Sequence, residues 1–212
     1  MRSLMVAVLA AGLALTGCPN TEASFDDFGD RYDEINKNKT TVTTGGGDCT
    51  TYAEGEADGD YLFALSAKLS PKRAFALPAT RTTTDDGAGG LSVGLTLQPL
   101  SKMDQTTPVC SAISFTDLAV GADGQFVWDL GEVTLCGDAN PISVSEVVTT
   151  LTLTGELCGG EKAGFVCGAA SGIVSKPLSM YDLAPESAFT MQKIDGAVPF
   201  PVIDCAKTPA EY

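Results

Sequence analysis

Leu91-Ser92-Val93-Gly94-Leu95-Thr96-Leu97-Gln98 decides the fold. Large aliphatic side chains take every second position and small or polar ones the rest, the period of a strand with one buried and one wet face. The same alternation recurs further along. Phe126, Trp128 and Leu130 alternate with Val127 and Asp129, and Gly131 permits a bulge before Val133 and Leu135 resume the buried face. Val147, Thr149, Leu151 and Leu153 alternate with Val148, Thr150, Thr152 and Thr154, which gives that strand a hydroxyl-lined outer face. The pattern predicts about eight strands, at 61–69, 74–83, 91–98, 112–120, 125–135, 146–157, 164–175 and 188–193. Links are short, and Gly121-Ala122-Asp123-Gly124 is the clearest hairpin turn. Antiparallel strands with one buried face must pack as two sheets or close on themselves. The expectation is an all-β, antiparallel β-sandwich of about eight strands. An up-and-down, lipocalin-like β-barrel is the alternative, and a barrel can enclose a ligand.

Composition narrows the function. The 212 residues include 13 Lys+Arg, 27 Asp+Glu and no His, for a formal net charge of −14. Nucleic-acid binding needs clustered cations and is disfavoured. Without histidine there is no Ser-His-Asp or Cys-His catalysis and no His-ligated metal. A hydrophobic content of 44% with 23 Gly and 11 Pro is that of a globular chain.

The amino terminus speaks to location. After Met1 and Arg2 an apolar run extends from Leu4 to Leu15 and ends in Leu15-Thr16-Gly17-Cys18. One cation, a run shorter than the roughly 20 residues that span a bilayer, and small residues before a cleavage point read as a signal peptide at 1–17. The Leu-Thr-Gly-Cys ending resembles the bacterial lipobox. That resemblance implies diacylglycerol on the Cys18 thiol, cleavage before it and acylation of the new amino terminus, a stable multi-chain anchor. In the sorting rules of such lipoproteins Pro19 is not an inner-membrane retention signal, which points to the outer membrane. The mature chain carries a net charge of −15 and should be repelled by anionic headgroups, so lipid must hold it there.

Residues 18–48 read as the lipidated cysteine and a flexible acidic tether, Thr- and Gly-rich towards its end. Phe25, Phe28, Tyr32 and Ile35 nevertheless share one helical face, so a short docking helix is the competing reading. Residues 49–212 form the β domain.

With Cys18 taken by lipid, six cysteines remain, an even set in an exported chain that reads as three disulfides among 15 possible connectivities. Residues paired across a hairpin lie symmetrically about its turn. Cys110 and Cys136 are centred on Asp123, and Cys158 and Cys167 on the loop Gly159-Gly160-Glu161-Lys162-Ala163-Gly164. The expected bridges are therefore Cys110–Cys136 and Cys158–Cys167, leaving Cys49–Cys205 to tie the domain's ends.

No motif carries chemistry. Gly90-Leu91-Ser92-Val93-Gly94 matches the nucleophile elbow, but Ser92 lies inside a strand, no helix follows and no His base exists. Ala57-Asp58-Gly59-Asp60 and Thr84-Asp85-Asp86-Gly87 are acidic turns that fall short of a calcium loop; turn chemistry is the expected reading, with a calcium site assembled from the two loops as the alternative. Trp128 sits on the apolar face of its strand and reads as core. No catalytic, cofactor-binding or metal-binding residue is assigned.

The body resembles a group of uncharacterised outer-membrane lipoproteins of myxobacteria and related delta-proteobacteria. The matching residues are the lipobox, Phe25-Asp26-Asp27-Phe28 with Arg31, and Gly59-Asp60-Tyr61-Leu62. They continue with Leu95-Thr96-Leu97-Gln98-Pro99-Leu100, Ala139-Asn140-Pro141-Ile142-Ser143 and Cys167-Gly168. The resemblance implies a disulfide-bonded β domain on a tether and no activity. The functional expectation is a non-catalytic envelope lipoprotein, held to the membrane through Cys18, with an unidentified protein or small-molecule partner. A lipocalin-like carrier is its variant. The alternatives are a passive surface-coating or spacer protein with no specific ligand, and a His-free, carboxylate-based hydrolase of envelope polysaccharide.

Overall fold

The structure, a computed structural model, describes residues 49, 52–159, 164–203 and 205. The signal peptide, Cys18 and the tether to residue 48 lie outside the described residues. Over the described residues the chain is nearly all β and antiparallel, with a single 3-10 turn at Gly137–Ala139. Its strands are β1 (Gly59–Ser66), β2 (Phe75–Asp85), β3 (Leu91–Leu97), β4 (Ile113–Val120) and β5 (Gln125–Leu135), then β6 (Val147–Glu156), β7 (Phe165–Ser171), β8 (Ile173–Lys176), β9 (Tyr181–Asp182) and β10 (Ser187–Lys193). They make one sheet in the order β4-β3-β2-β1-β10-β7-β6-β5. β8 continues the course of β7 past Gly172 and pairs with the first half of β6, with β9 beyond it. A Cβ at Gly172 would lie 1.9 Å from the Thr150 carbonyl oxygen, so glycine alone lets the strand pass there.

The strands do not divide into the two stacked sheets of the favoured sandwich. They curl as one sheet into a half-barrel, which brings the alternative closure nearer. The reason lies at the two ends of the order. β4 and β5 are adjacent in sequence, joined by a turn in which the Gly121 amide donates to the Gln125 carbonyl at 2.9 Å. Midway, the Trp128 indole N–H donates to the Ala119 carbonyl at 3.0 Å. At their far ends Cys110 and Cys136 are bonded, with Cα atoms 6.3 Å apart. No strand pairing joins β4 to β5, so these three links fasten a seam. The burial that period-2 alternation demands is met inside the curl.

The inner face holds Tyr61, Phe63, Leu95, Trp128, Leu153 and Phe189, all almost fully buried. Phe126 stacks on Trp128 with ring centroids 3.9 Å apart. Gly155 and Gly168 face each other across β6 and β7, and a Cβ on Gly168 would come within 2.7 Å of the Phe189 ring. The glycine pair makes room for the aromatics. β1 is buried on both faces, because the carboxy-terminal segment crosses its outside. There Val202 is buried and its carbonyl accepts the Thr190 hydroxyl at 2.6 Å.

Two expected bridges are replaced. Cys49 is joined to Cys158 and Cys167 to Cys205, with Cα separations of 5.1 and 5.5 Å. Cys158–Cys167 and Cys49–Cys205 do not form. The register explains the exchange: Gly155 faces Gly168, so the next step of the ladder sets Cys167 beside Glu156, two residues short of Cys158. Cys158 instead meets Cys49 beside the β4–β5 turn, and Cys167 meets Cys205.

Candidate functional site

Strand direction gives the curl two ends. One carries the 52–58 segment and the loops after β2, β4 and β6; the other carries the loops between β1 and β2, β3 and β4, β5 and β6, and β8 and β9.

The first end is plugged. Arg81 on β2 is fully buried and its guanidinium lies 4.0 Å from the centroid of the Tyr61 ring. Its Nε donates to the Ala57 carbonyl at 2.8 Å and its Nη2 to the Tyr61 hydroxyl, which itself donates to Ala57 at 2.8 Å. Nη1 has no hydrogen-bond partner among the described residues. Asp58 does not bond the guanidinium; its Oδ1 accepts the Thr83 amide at 2.6 Å and hydroxyl at 2.7 Å. Burial holds the Arg81 pKa below its ordinary value and pushes that of Tyr61 up, against the pull of Arg81. These buried, mutually bonded side chains make a packed stopper.

The second end is open. An apolar recess of about 220 Å³ lies there. Leu65, Phe75 and Val147 continue the inner face into it, while Ile142, Leu178 and Tyr181 wall it from the loops. Its polar groups are engaged elsewhere. The Thr149 hydroxyl donates to backbone carbonyls, at 2.7 Å to Thr150. Asn140, 2% exposed, donates to the Ser143 hydroxyl and the Ser145 carbonyl at 2.9 Å each, and accepts from the Ile142 amide at 2.9 Å. Asn140 thus fixes the turn that forms one wall. The recess exceeds the roughly 150 Å³ apolar cavity that takes up benzene or xenon, and such surfaces stay dry. It suits a ring or a short run of alkyl chain.

Outside the same wall runs a broader groove of about 740 Å³, lined by Lys72, Arg73, Lys102, Met103 and Phe200. Ala74 and Ala76 face the groove and Phe75 the recess, so one thickness of chain separates them. Lys102 donates to the Gly137 carbonyl at 2.6 Å. Neither recess nor groove is lined by Asp or Glu.

The acidic turns hold themselves. Asp60 accepts the Thr80 hydroxyl at 3.0 Å, Asp85 the Gly87 amide at 2.6 Å, and Asp86 the amides of Ala88 and Gly90. Among the described residues no three acids or cysteines converge on a metal-sized site. Ser92 sits within β3. Trp128 is core, 1% exposed. Strand alternation gave no hint of the recess. The signal was available in loop residues that no strand explains: Leu69, Ile142, Leu178 and their neighbours.

No protein-family model, curated protein or solved structure matches the chain.

Proposed function

We propose that the protein is a lipid-anchored binding protein of the bacterial outer membrane, non-catalytic, which holds a small apolar ligand or the end of an alkyl chain in the recess at the open end. The observation that carries this reading is the recess itself: concave, apolar and continuous with the inner face. The lipobox and tether supply the location; the half-barrel supplies the container. A hydrolase would need two carboxylates about 5–10 Å apart in a cleft, and neither concavity supplies them.

Native mass spectrometry tests the proposal. The mature chain, residues 19–212, is exported behind a non-lipoprotein signal peptide and purified without detergent. It should carry an apolar passenger lost on denaturation, or take up a short-chain alcohol such as octanol. Ile142→Trp, on a half-buried loop, should abolish uptake without unfolding the chain. Uptake unchanged by Ile142→Trp, or none by the parent chain, overturns the assignment.

A further inference from the structure

Four loops surround the open end, and each displays an exposed large hydrophobic side chain. Leu69 lies between β1 and β2, Met103 between β3 and β4, Val144 between β5 and β6, and Met180 between β8 and β9. They are 48, 85, 79 and 73% exposed. Phe200, 87% exposed, stands in the groove beside Met103. Among the described residues, the exposed large hydrophobics elsewhere are Val127 on β5 and Val198 on the segment that follows β10. Scattered apolar residues on a surface mean little, but a set gathered on one end does.

Charge is sorted the same way. Among the described residues, the loops and strand ends of the plugged side carry Glu54, Glu56, Asp85, Asp86, Asp123 and Asp195, against the half-buried cation Lys193. The cations Lys68, Lys72, Arg73, Lys102 and Lys176 are at the open end. Five acids of the described residues share that end, which is therefore near neutral where the plugged end is acidic, and each of them has a partner. Asp138 lies 4.0 Å from Lys102 and Glu146 3.3 Å from Lys176. Asp104 accepts the Thr107 hydroxyl at 2.7 Å, Asp182 accepts the Ala184 amide at 2.8 Å, and Glu186 has a partner. Lys72 and Arg73 are exposed, and no described carboxylate pairs with them.

We propose that the open end docks on the surface of a bilayer containing anionic phospholipid, its loop tips entering the interface and Lys72 and Arg73 meeting headgroup phosphates. Apolar side chains interspersed with cations are the chemistry of an interfacial anchor. The repulsion expected from the net charge of the whole chain is weakened at this end, because the acids are unevenly placed. An eleven-residue strand such as β2 is about 36 Å long, and the acids at its other end are screened over a Debye length of about 8 Å. Docking sets the recess against lipid, the natural source of an alkyl chain. That consequence, though not the docking, rests on the function proposed above. The anchor does not prevent it. The amino-terminal segment enters at the plugged end, where Cys49 is bonded to Cys158. The thirty residues 19–48 reach at most about 100 Å, enough to turn the open end back to the anchoring membrane.

The test is flotation of the unlipidated mature chain, residues 19–212, with vesicles of phosphatidylethanolamine and phosphatidylglycerol, or of phosphatidylcholine alone. Binding to the anionic vesicles is expected, weakening as salt rises. Lys72→Glu with Arg73→Glu should lower it by at least tenfold, and Met103→Ser with Met180→Ser should do likewise. Val127→Ser, exposed on the side of β5, should leave it unchanged. No binding, equal binding to both vesicles, or equal loss in the Val127 control overturns the proposal. So does a concentration-dependent dimer broken by the Met103 and Met180 changes, which would make a second copy the occupant. Ile142→Trp separates the two readings: it should still float with vesicles while losing octanol. Floating without uptake by the parent chain removes the ligand assignment alone, and uptake without floating removes the docking alone.

Discussion

Arg81→Met should leave the protein as stable as before or make it more stable, by up to about 4 kcal/mol. The substitution removes two hydrogen bonds, to the Ala57 carbonyl and the Tyr61 hydroxyl, each worth about 1.5–3 kcal/mol because the donor is charged. It also removes the contact with the Tyr61 ring, worth about 2 kcal/mol in a desolvated setting. Neither partner is orphaned, because the Tyr61 hydroxyl already donates to Ala57. Against this stand the cost of burying a cation that no carboxylate hydrogen-bonds, several kcal/mol, and an unpartnered Nη1, about 1–3 kcal/mol. Tyr61→Phe is the opposite experiment. It keeps the buried cation and takes away the acceptor of Nη2, so it should destabilise by about 1–3 kcal/mol. Urea unfolding at pH 7 with disulfides intact measures both. Arg81→Met should also leave octanol uptake unchanged. A loss above about 2 kcal/mol in Arg81→Met, larger than that in Tyr61→Phe, would refute the energetic reasoning. Loss of uptake would show that the plugged end binds ligand.

Cys110→Ser with Cys136→Ser should open the seam between β4 and β5. The chain-entropy model gives about 3.5 kcal/mol for the 26-residue separation, and amide exchange should quicken in β4 before β1. Gly168→Ala places a methyl 2.1 Å from the Thr154 carbonyl oxygen and 2.7 Å from the Phe189 ring, so thermal unfolding should show a loss of about 1–3 kcal/mol or more. Asp104 should titrate at about 2, held below the carboxylate range first by the Thr107 hydroxyl and then by the Thr106 amide. What these bonds add to stability is present above the unfolded pKa and lost as pH falls towards 2. Carbonyl NMR should place its midpoint there, and Thr107→Val should raise it. Tyr61 works in the opposite sense. Burial raises its folded pKa, so the stability linked to its neutral form is complete below pH 10 and declines as pH rises beyond it, readable as alkaline unfolding that Tyr61→Phe lacks.

Much of the scaffold was legible. The strands expected at 91–98, 125–135 and 188–193 meet β3, β5 and β10 to within a residue, because one wet face writes a period of two into the sequence. The strand expected at 164–175 is β7 and β8 in one course, divided at Gly172 by the approach of Thr150. What period two does not carry is where the buried faces turn. A sandwich and a curl bury the same residues, and only the links between β4 and β5 distinguish them. Cysteine pairing failed for a related reason: symmetry about a loop misses a register offset of two residues, which carries Cys167 away from Cys158. Cys110 and Cys136 meet across a seam rather than along the expected hairpin ladder. The recess was beyond reach because Leu65, Ile142 and Leu178 converge only after the sheet has curled. An Asn before a Pro, as at Asn140-Pro141, signals a turn, but not that the turn walls a recess.

Methyl NMR under xenon pressure tests the central claim most directly, since xenon enters dry apolar cavities without any polar contact. The account predicts saturable shifts confined to the methyl groups of Leu65, Ile142, Val147, Val174 and Leu178, and their loss in Ile142→Trp. Shifts centred on Ala57, beside Arg81, or none at all, would contradict it.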